Sequence, residues 1–281
     1  MNTPAIPQQR TVSVENPVQG DVIHVQAYQE QEILLPPQEG VVPSHREIHL
    51  HKGARLRVLS LGIPPQNILS VPEAPASEAH PHIFHHFVLE EDSQLLLTEV
   101  VFHSSSSQHH TVIELQGPGS KVDVLGIYGG WGVAEQHHSY IVHHHAPHTT
   151  STSHFRSVVT GTAHLVFQDR IHIARGAPKS DGILSIRNLI LNDGAHAEAY
   201  PELEIENNDV SCSHGATTGG IDPHQAYYLQ SRGISPEESR ALLVLAHIAT
   251  AFPRLPEVYQ EQVRRLVLEQ LAYAKEGGAI Q

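Results

Sequence analysis

The sequence predicts a mainly β fold that ends in an α-helical subdomain. Three observations carry this. Short runs from Val22 to Ile205 alternate apolar and polar residues, the period of half-buried strands. Gly, Pro, Asn and Asp punctuate those runs. From Ile221 onward the apolar spacing becomes helical, and capping residues stand at the expected starts. The chain therefore divides into a loose N-terminal tail (1–20), a β core domain (21–220) and a C-terminal helical subdomain (221–281).

The tail is rich in Pro and Gln. Val22–Val25 and Glu32–Leu35 read as strands before the breaker Pro36-Pro37, followed by Glu47–Leu50 and Ala54–Leu61. Five prolines make 63–81 a loop. Strands resume at Ile83–Leu89, Leu95–Phe102, Thr111–Leu115, Val122–Tyr128, Tyr140–His144 and Phe155–Val159. His164–Phe167, Ile171–Ala174, Ile183–Leu191, Ala195–Ala199 and Leu203–Ile205 complete the series, and a Gly-rich corner (Gly215, Gly219, Gly220) closes it. Gly53, Gly119, Gly161 and Gly194 each lead into an alternating run, where a turn needs positive φ, but at unequal intervals. Pattern alone leaves a sandwich, a barrel and a coiled solenoid open.

The helices are better punctuated. Asp222 caps a helix that begins at Pro223, and Gly233 closes it. Ser235, Pro236 and Glu238 form a capping box for a second helix through Leu242, Leu245, Ala246 and Ala249, which stops before Pro253. A third begins near Pro256, with Tyr259, Val263, Leu266, Val267, Leu271 and Ala274 on one stripe. These stripes pack on the β domain, yet Leu242, Leu243, Leu245 and Ile248 place apolar residues on two faces, enough to receive a partner chain.

Composition narrows the chemistry. The 281 residues suffice for a core without staples, and the single Cys excludes an internal disulfide framework and suits a reducing cytoplasm. No apolar signal core or membrane-length stretch is present. The formal charge of -13 disfavours a nucleic-acid partner. The 24 histidines gather at His80, His82, His85 and His86, at His109 and His110, and from His137 to His148. The simplest account places them on solvated strand faces; the sharper one is a metal site, because His143 and His145 share a face.

Cys212 and His214 are the other candidates. Two residues apart on a strand, they project from one face, and both are able to ligate iron or zinc. The plain alternative is a buried thiol beside a hydrogen-bonded histidine. One thiolate does not hold an iron–sulfur cluster, so a cluster here needs ligands from a second chain. Ser213 and His214 point to opposite faces, which removes a nucleophile–base pair, and no phosphate-binding loop is present. Glu202, Glu204 and Glu206 read as a solvated acidic edge.

One ordered run joins these candidates: Asp209-Val210, Cys212-Ser213-His214-Gly215-Ala216-Thr217, Ile221-Asp222, Tyr228-Leu229 and Ser231-Arg232-Gly233-Ile234. With Arg187–Leu191 and Pro201–Ile205 upstream, it resembles the SufB/SufD family of SUF iron–sulfur cluster assembly, nearer the SufD branch, over about Gly161 to Phe252. The resemblance implies a right-handed parallel β-helix core with C-terminal helices. It implies a non-enzymatic scaffold that pairs with a SufB-type subunit or a second copy of itself through the core. His214 matches the family's interface histidine and Cys212 the cysteine beside it. It further implies that a SufC-type ABC ATPase docks on the helices, by Ile221, Asp222, Tyr228, Leu229, Arg232, Gly233, Ile234, Leu242 and Leu245. ATP turnover is then expected to move the helices and expose a buried Cys212–His214 pair. No tightly bound cofactor is implied, only a transient cluster at a subunit interface. The chain departs from the family in being shorter, without an N-terminal helical region, and in lacking a second cysteine for a sulfur relay.

Two other readings compete. A cupin-type metal enzyme would use His49/His51 or His143/His145 with a carboxylate inside a barrel. A carbohydrate-active β-helix would use the acidic flank, although only 5% of residues are aromatic, which leaves little for sugar stacking.

Overall fold

The computed structural model describes residues 10–13, 22–35, 44–63 and 82–275. The Pro36-Pro37 breaker, the 64–81 loop with His80, most of the 1–20 tail and the side chain of Ala274 lie outside them. In chain order the strands are β1 (Arg10–Ser13), β2 (Val22–Val25), β3 (Glu30–Leu35), β4 (Ser44–Leu50), β5 (Arg55–Gly62), β6 (His82–Leu89), β7 (Gln94–His103) and β8 (Ser107–Leu115). They continue with β9 (Lys121–Gly130), β10 (Glu135–His144), β11 (Thr150–Val159), β12 (His164–Ile173), β13 (Asp181–Ile190), β14 (His196–Ile205) and β15 (Ser211–Gly219). Helices α1 (Pro223–Ser231), α2 (Pro236–Ile248) and α3 (Glu257–Lys275) follow, with a 3-10 segment, Ala249–Arg254, between the last two.

The chain winds as a parallel β-solenoid. Odd-numbered strands form one sheet in the order β1-β3-β5-β7-β9-β11-β13-β15, and even-numbered strands form the other, ending at β14. Alternation explains the winding: each strand sends every second side chain inward, as the burial of Val122, Val124, Tyr128, Phe155, Phe167, Leu184 and Ile186 shows. Parallel pairing in register stacks like positions, so the core is a set of ladders running the length of the coil.

The turns stack as well. Tyr28, Gly53, Asp92, Gly119, His148 and Lys179 all have positive φ and occupy one corner of successive turns. Each of their N–H groups donates to a carbonyl of the next turn, from Tyr28 to Lys52 (3.0 Å) through Gly119 to Pro147 (3.2 Å) and Lys179 to Asp209 (2.6 Å). Gly132, Gly161 and Gly194 stack in the other corner. A Cβ on Gly161 would stand 2.9 Å from the Gly132 backbone.

Several elements differ from the pattern reading. His164–Phe167 and Ile171–Ala174 are parts of one strand, β12, and Ala195–Ala199 and Leu203–Ile205 are parts of β14. Pro201 is tolerated inside β14 because that strand is the sheet edge, where its missing donor breaks no ladder. Gly215 and Gly219 lie within β15 rather than in a corner, and Arg10–Ser13, inside the expected tail, pairs with β3.

The helices lie on the outer face of the odd-numbered sheet. Val244, Ile248, Phe252, Val263 and Val267 pack on Val100, Phe102, Leu125, Ile127, Val158 and Leu189, which point away from the solenoid interior. At about 25 cal/mol per Å² of apolar area, this second core holds the helices in place. Arg156 Nη1 donates to the His247 carbonyl (3.0 Å), and Arg254 pairs with Asp123 (2.6 Å).

Candidate functional site: the open end of the solenoid

The register fixes where Cys212 and His214 point. Cys212 pairs with Gly182, which continues the inward ladder Leu56–Leu95–Val122–Ser151. His214 pairs with Leu184, which continues Val58–Leu97–Val124–Ser153. On every earlier strand these positions are core. Among the described residues no strand stacks beyond β15, and Cys212 is half-buried and His214 exposed. The thiol and imidazole therefore end two core ladders at an open mouth.

The opposite lip is β14. Its inward positions, Ala199, Leu203 and Ile205, continue Phe167, Ile171 and Ile173, and Ile205 is 44% exposed. Among the described residues β14 and β15 end their sheets, and β14 adds apolar side chains, a surface that invites another chain. These residues escaped the sequence reading, although the apolar alternation of the last strands with no further strand to cover it was the available signal.

Gly182 makes room for the thiol: a Cβ there would meet Cys212 Sγ at 3.3 Å. Burial pushes the Cys212 thiol above its ordinary value; a hydrogen bond from the Gly182 backbone opposes this and Asp181 reinforces it. The thiol is thus protonated at neutral pH, and a metal or a positive partner group is needed to draw out the thiolate. In the single chain the described helices cover a sheet face and not the end of the coil, which leaves Cys212 half-buried and His214 exposed.

The helix residues take mixed roles. Asp222 accepts from the His224 N–H (2.8 Å), Arg232 is the C-cap of α1, and Gly233 has φ 89°, so these three shape the backbone. Ile221 and Leu245 pack partly on the outer core, and Leu229 and Ile234 are half-buried. Tyr228 (58% exposed, with the Arg232 guanidinium 5.3 Å from its ring centroid) and Leu242 (48%) face outward, as does Tyr227 (73%), which the sequence reading passed over. Helix α1 buries none of its residues.

The histidines divide by face. His85, His109, His138 and His144 are buried inside the coil, which corrects the solvated-face account for these four. Burial lowers His85 to about 3 and His109 and His144 to about 4. Two carboxyls share the interior. Glu99 accepts from the hydroxyls of Tyr128 (2.7 Å) and Tyr140, and Asp169 accepts from the Tyr140 N–H (2.9 Å). Burial raises both acids. His and Glu also pair between successive turns of the coil, as in His51–Glu90 just past the ends of β4 and β6 (3.0 Å) and His164–Glu198 on β12 and β14 (2.9 Å). On the outer face of the even-numbered sheet, His143 and His145 lie with Glu114. Glu202 pairs with Arg170 (2.7 Å) at the exposed edge, as a solvated acidic flank should. The strand pairs among the described residues are parallel, so the jelly-roll barrel of a cupin is not the frame here.

A family model described as "SUF system FeS cluster assembly, SufBD core domain" matches residues 10–247, far upstream of the expected start near Gly161. The chain is 35% identical to the iron-sulfur cluster assembly protein SufD of Escherichia coli over 124 residues, 44% of this chain and 29% of that one. It is 30% identical to an iron-sulfur cluster assembly SufBD family protein of Mycobacterium leprae over 168 residues (57% and 43%). Against a SufBD family protein of Synechocystis it is 27% identical over 168 residues (59% and 37%). In each comparison the match spans less than half of the relative's length.

Proposed function

The chain belongs to the SufBD family of the SUF iron–sulfur cluster assembly system, and we propose that it works there as a non-enzymatic scaffold that pairs through its open end and docks an ATPase through its helices. The observation that carries this is the placement of Cys212 and His214 at the end of two core ladders, on a strand that is the sheet edge among the described residues. A cluster is cargo in this reading. Cys212 and His214 offer a soft and a borderline ligand, and a full set needs the partner's side chains. Partner strands that continue the two sheets would cover Ala199, Leu203 and Ile205 and satisfy the edge backbone. The partner is a SufB-type subunit or a second copy of this chain.

The docking surface is α1 with the outward side of α2, where Tyr228 and Leu242 stand free of the core. The ATPase is of the SufC type, since this chain has no phosphate loop of its own. No helix among the described residues is long and apolar enough to cross a membrane, and assembly in the cytoplasm is part of the proposal.

The test is co-expression with SufB- and SufC-type subunits, reading complex formation by affinity capture and cluster yield by absorbance. His214→Ala should abolish cluster assembly while ATPase capture persists. Ala216→Lys, which places a charge on the edge strand, should block pairing of the cores. Undiminished cluster yield from His214→Ala would reject the role given to that residue, and undiminished pairing from Ala216→Lys would reject the open end as the seam.

A further inference from the structure

The outer face of the even-numbered sheet carries a second constellation, apart from the mouth of the coil. Glu114, His143, His172 and Glu204 occupy the same register position on β8, β10, β12 and β14. Strands about 4.8 Å apart stack such side chains directly over one another. His145 joins from the turn after β10. One nitrogen each from His143 and His145 and one carboxylate oxygen of Glu114 lie within 4.8 Å of one another.

The contacts inside this group hold its donor atoms close together. His145 Nε2 is in close contact with Glu114 Oε2. His143 Nδ1 and His172 Nδ1 stand 3.1 Å apart. Two nitrogens bound tetrahedrally at 2.0–2.1 Å from one zinc ion are about 3.3 Å apart, close to that spacing. Elsewhere on this face Glu47 takes His49 (2.7 Å) and, at longer range, His86 (3.8 Å), while His51 pairs with Glu90 and His164 with Glu198. Only here, and at the adjoining His172, Glu204 and Glu206, do three ligand atoms converge among the described residues. The second group is mostly exposed acid; the first offers two imidazoles with a third in reach, and Glu114 and His143 are half-buried.

We propose that Glu114, His143 and His145 bind a divalent transition-metal ion on the outside of the solenoid, with His172 as an additional ligand. Two imidazoles and a carboxylate suit zinc or ferrous iron and leave a coordination position for His172 or water. The site joins three consecutive turns of the coil, β8, β10 and β12, so an ion there adds a side-chain tie on the outer face to the backbone pairing and core packing that already link them. It is independent of the Cys212–His214 seam and of the scaffold reading.

Zinc is the probe. The full chain, stripped with chelator, is titrated with Zn²⁺ by calorimetry beside three variants and a double variant. One ion per chain with Kd below about 10 μM is expected, retained in the Cys212→Ser/His214→Ala double variant and in His164→Ala. His145→Ala and Glu114→Gln should each weaken it at least about tenfold, with unchanged circular dichroism. X-ray absorption of the zinc-loaded wild type should show only nitrogen and oxygen near 2.0–2.1 Å. Sulfur near 2.3 Å would place the ion at Cys212 and overturn the proposal. So would equal weakening by His164→Ala, or several weak ions that no variant removes, since either result means scattered surface histidines.

Discussion

Replacing His85 by Gln tests whether the interior of the coil is as dry as its geometry implies. His85 is buried on β6 and its Nε2 stands 3.2 Å from Arg46 Nη1. Arginine only donates, so Nε2 is the acceptor and the ring is neutral. Burial, then Arg46, lowers His85 from 6.5 to about 3. Because this is a base with a lowered folded pKa, the unfolded chain binds more protons below pH 6.5. Stability is therefore lost as pH falls through 6.5, and the loss levels off near the folded value. At pH 5 the unfolded imidazole is protonated about 30-fold over neutral and the folded ring is not, so the cost is RT ln 30, about 2 kcal/mol. At pH 8 the cost is near zero. Gln keeps an acceptor for Arg46 at the Nε2 position and does not titrate. Glu99 and Asp169 act in the opposite sense: their raised folded pKa values add stability as pH falls. They are present in both proteins and cancel. Urea unfolding followed by circular dichroism at pH 8 and pH 5 should show the wild type losing about 2 kcal/mol more than His85→Gln over that interval. A difference under about 0.5 kcal/mol would mean that water reaches His85 and would refute the argument.

Three further outcomes follow from the geometry. Gly161 holds φ 76° with no room for a Cβ against the Gly132 backbone, so Gly161→Ala should cost about 2 kcal/mol or more in chemical denaturation; a cost below about 0.5 kcal/mol would show that the stacked corner yields easily. Cys212, with its raised pKa, should react with iodoacetamide at pH 8 at least about threefold more slowly in the folded chain than in urea, and a faster folded reaction would contradict the shift. The double substitution Tyr228→Ala/Leu242→Ser should weaken capture of the ATPase subunit at least about tenfold without loss of helical signal; full capture would move the docking surface elsewhere.

The amino-acid sequence by itself determined the alternating strands, the capped helices and the point where one gives way to the other. These are local matters: Arg55–Val58 alternates, and Ser235 and Glu238 cap each other, whatever surrounds them. It also supplied the ordered run through Cys212 that carries the family resemblance. Only the tertiary structure decided the repeat. Gly53 and Gly119 belong to one corner of the coil and Gly161 and Gly194 to the other, so their spacing along the chain mixes two columns and shows no period. Only the winding could say that His85 and His109 face inward while His143 and His145 face out, because strand periodicity names two faces without saying which is the core. Glu114 meets His143 through strand pairing between separate turns, a contact with no trace in local sequence. The half-burial of Cys212 and the exposure of His214 have the same origin: they sit at core positions on the last described strand of their sheet.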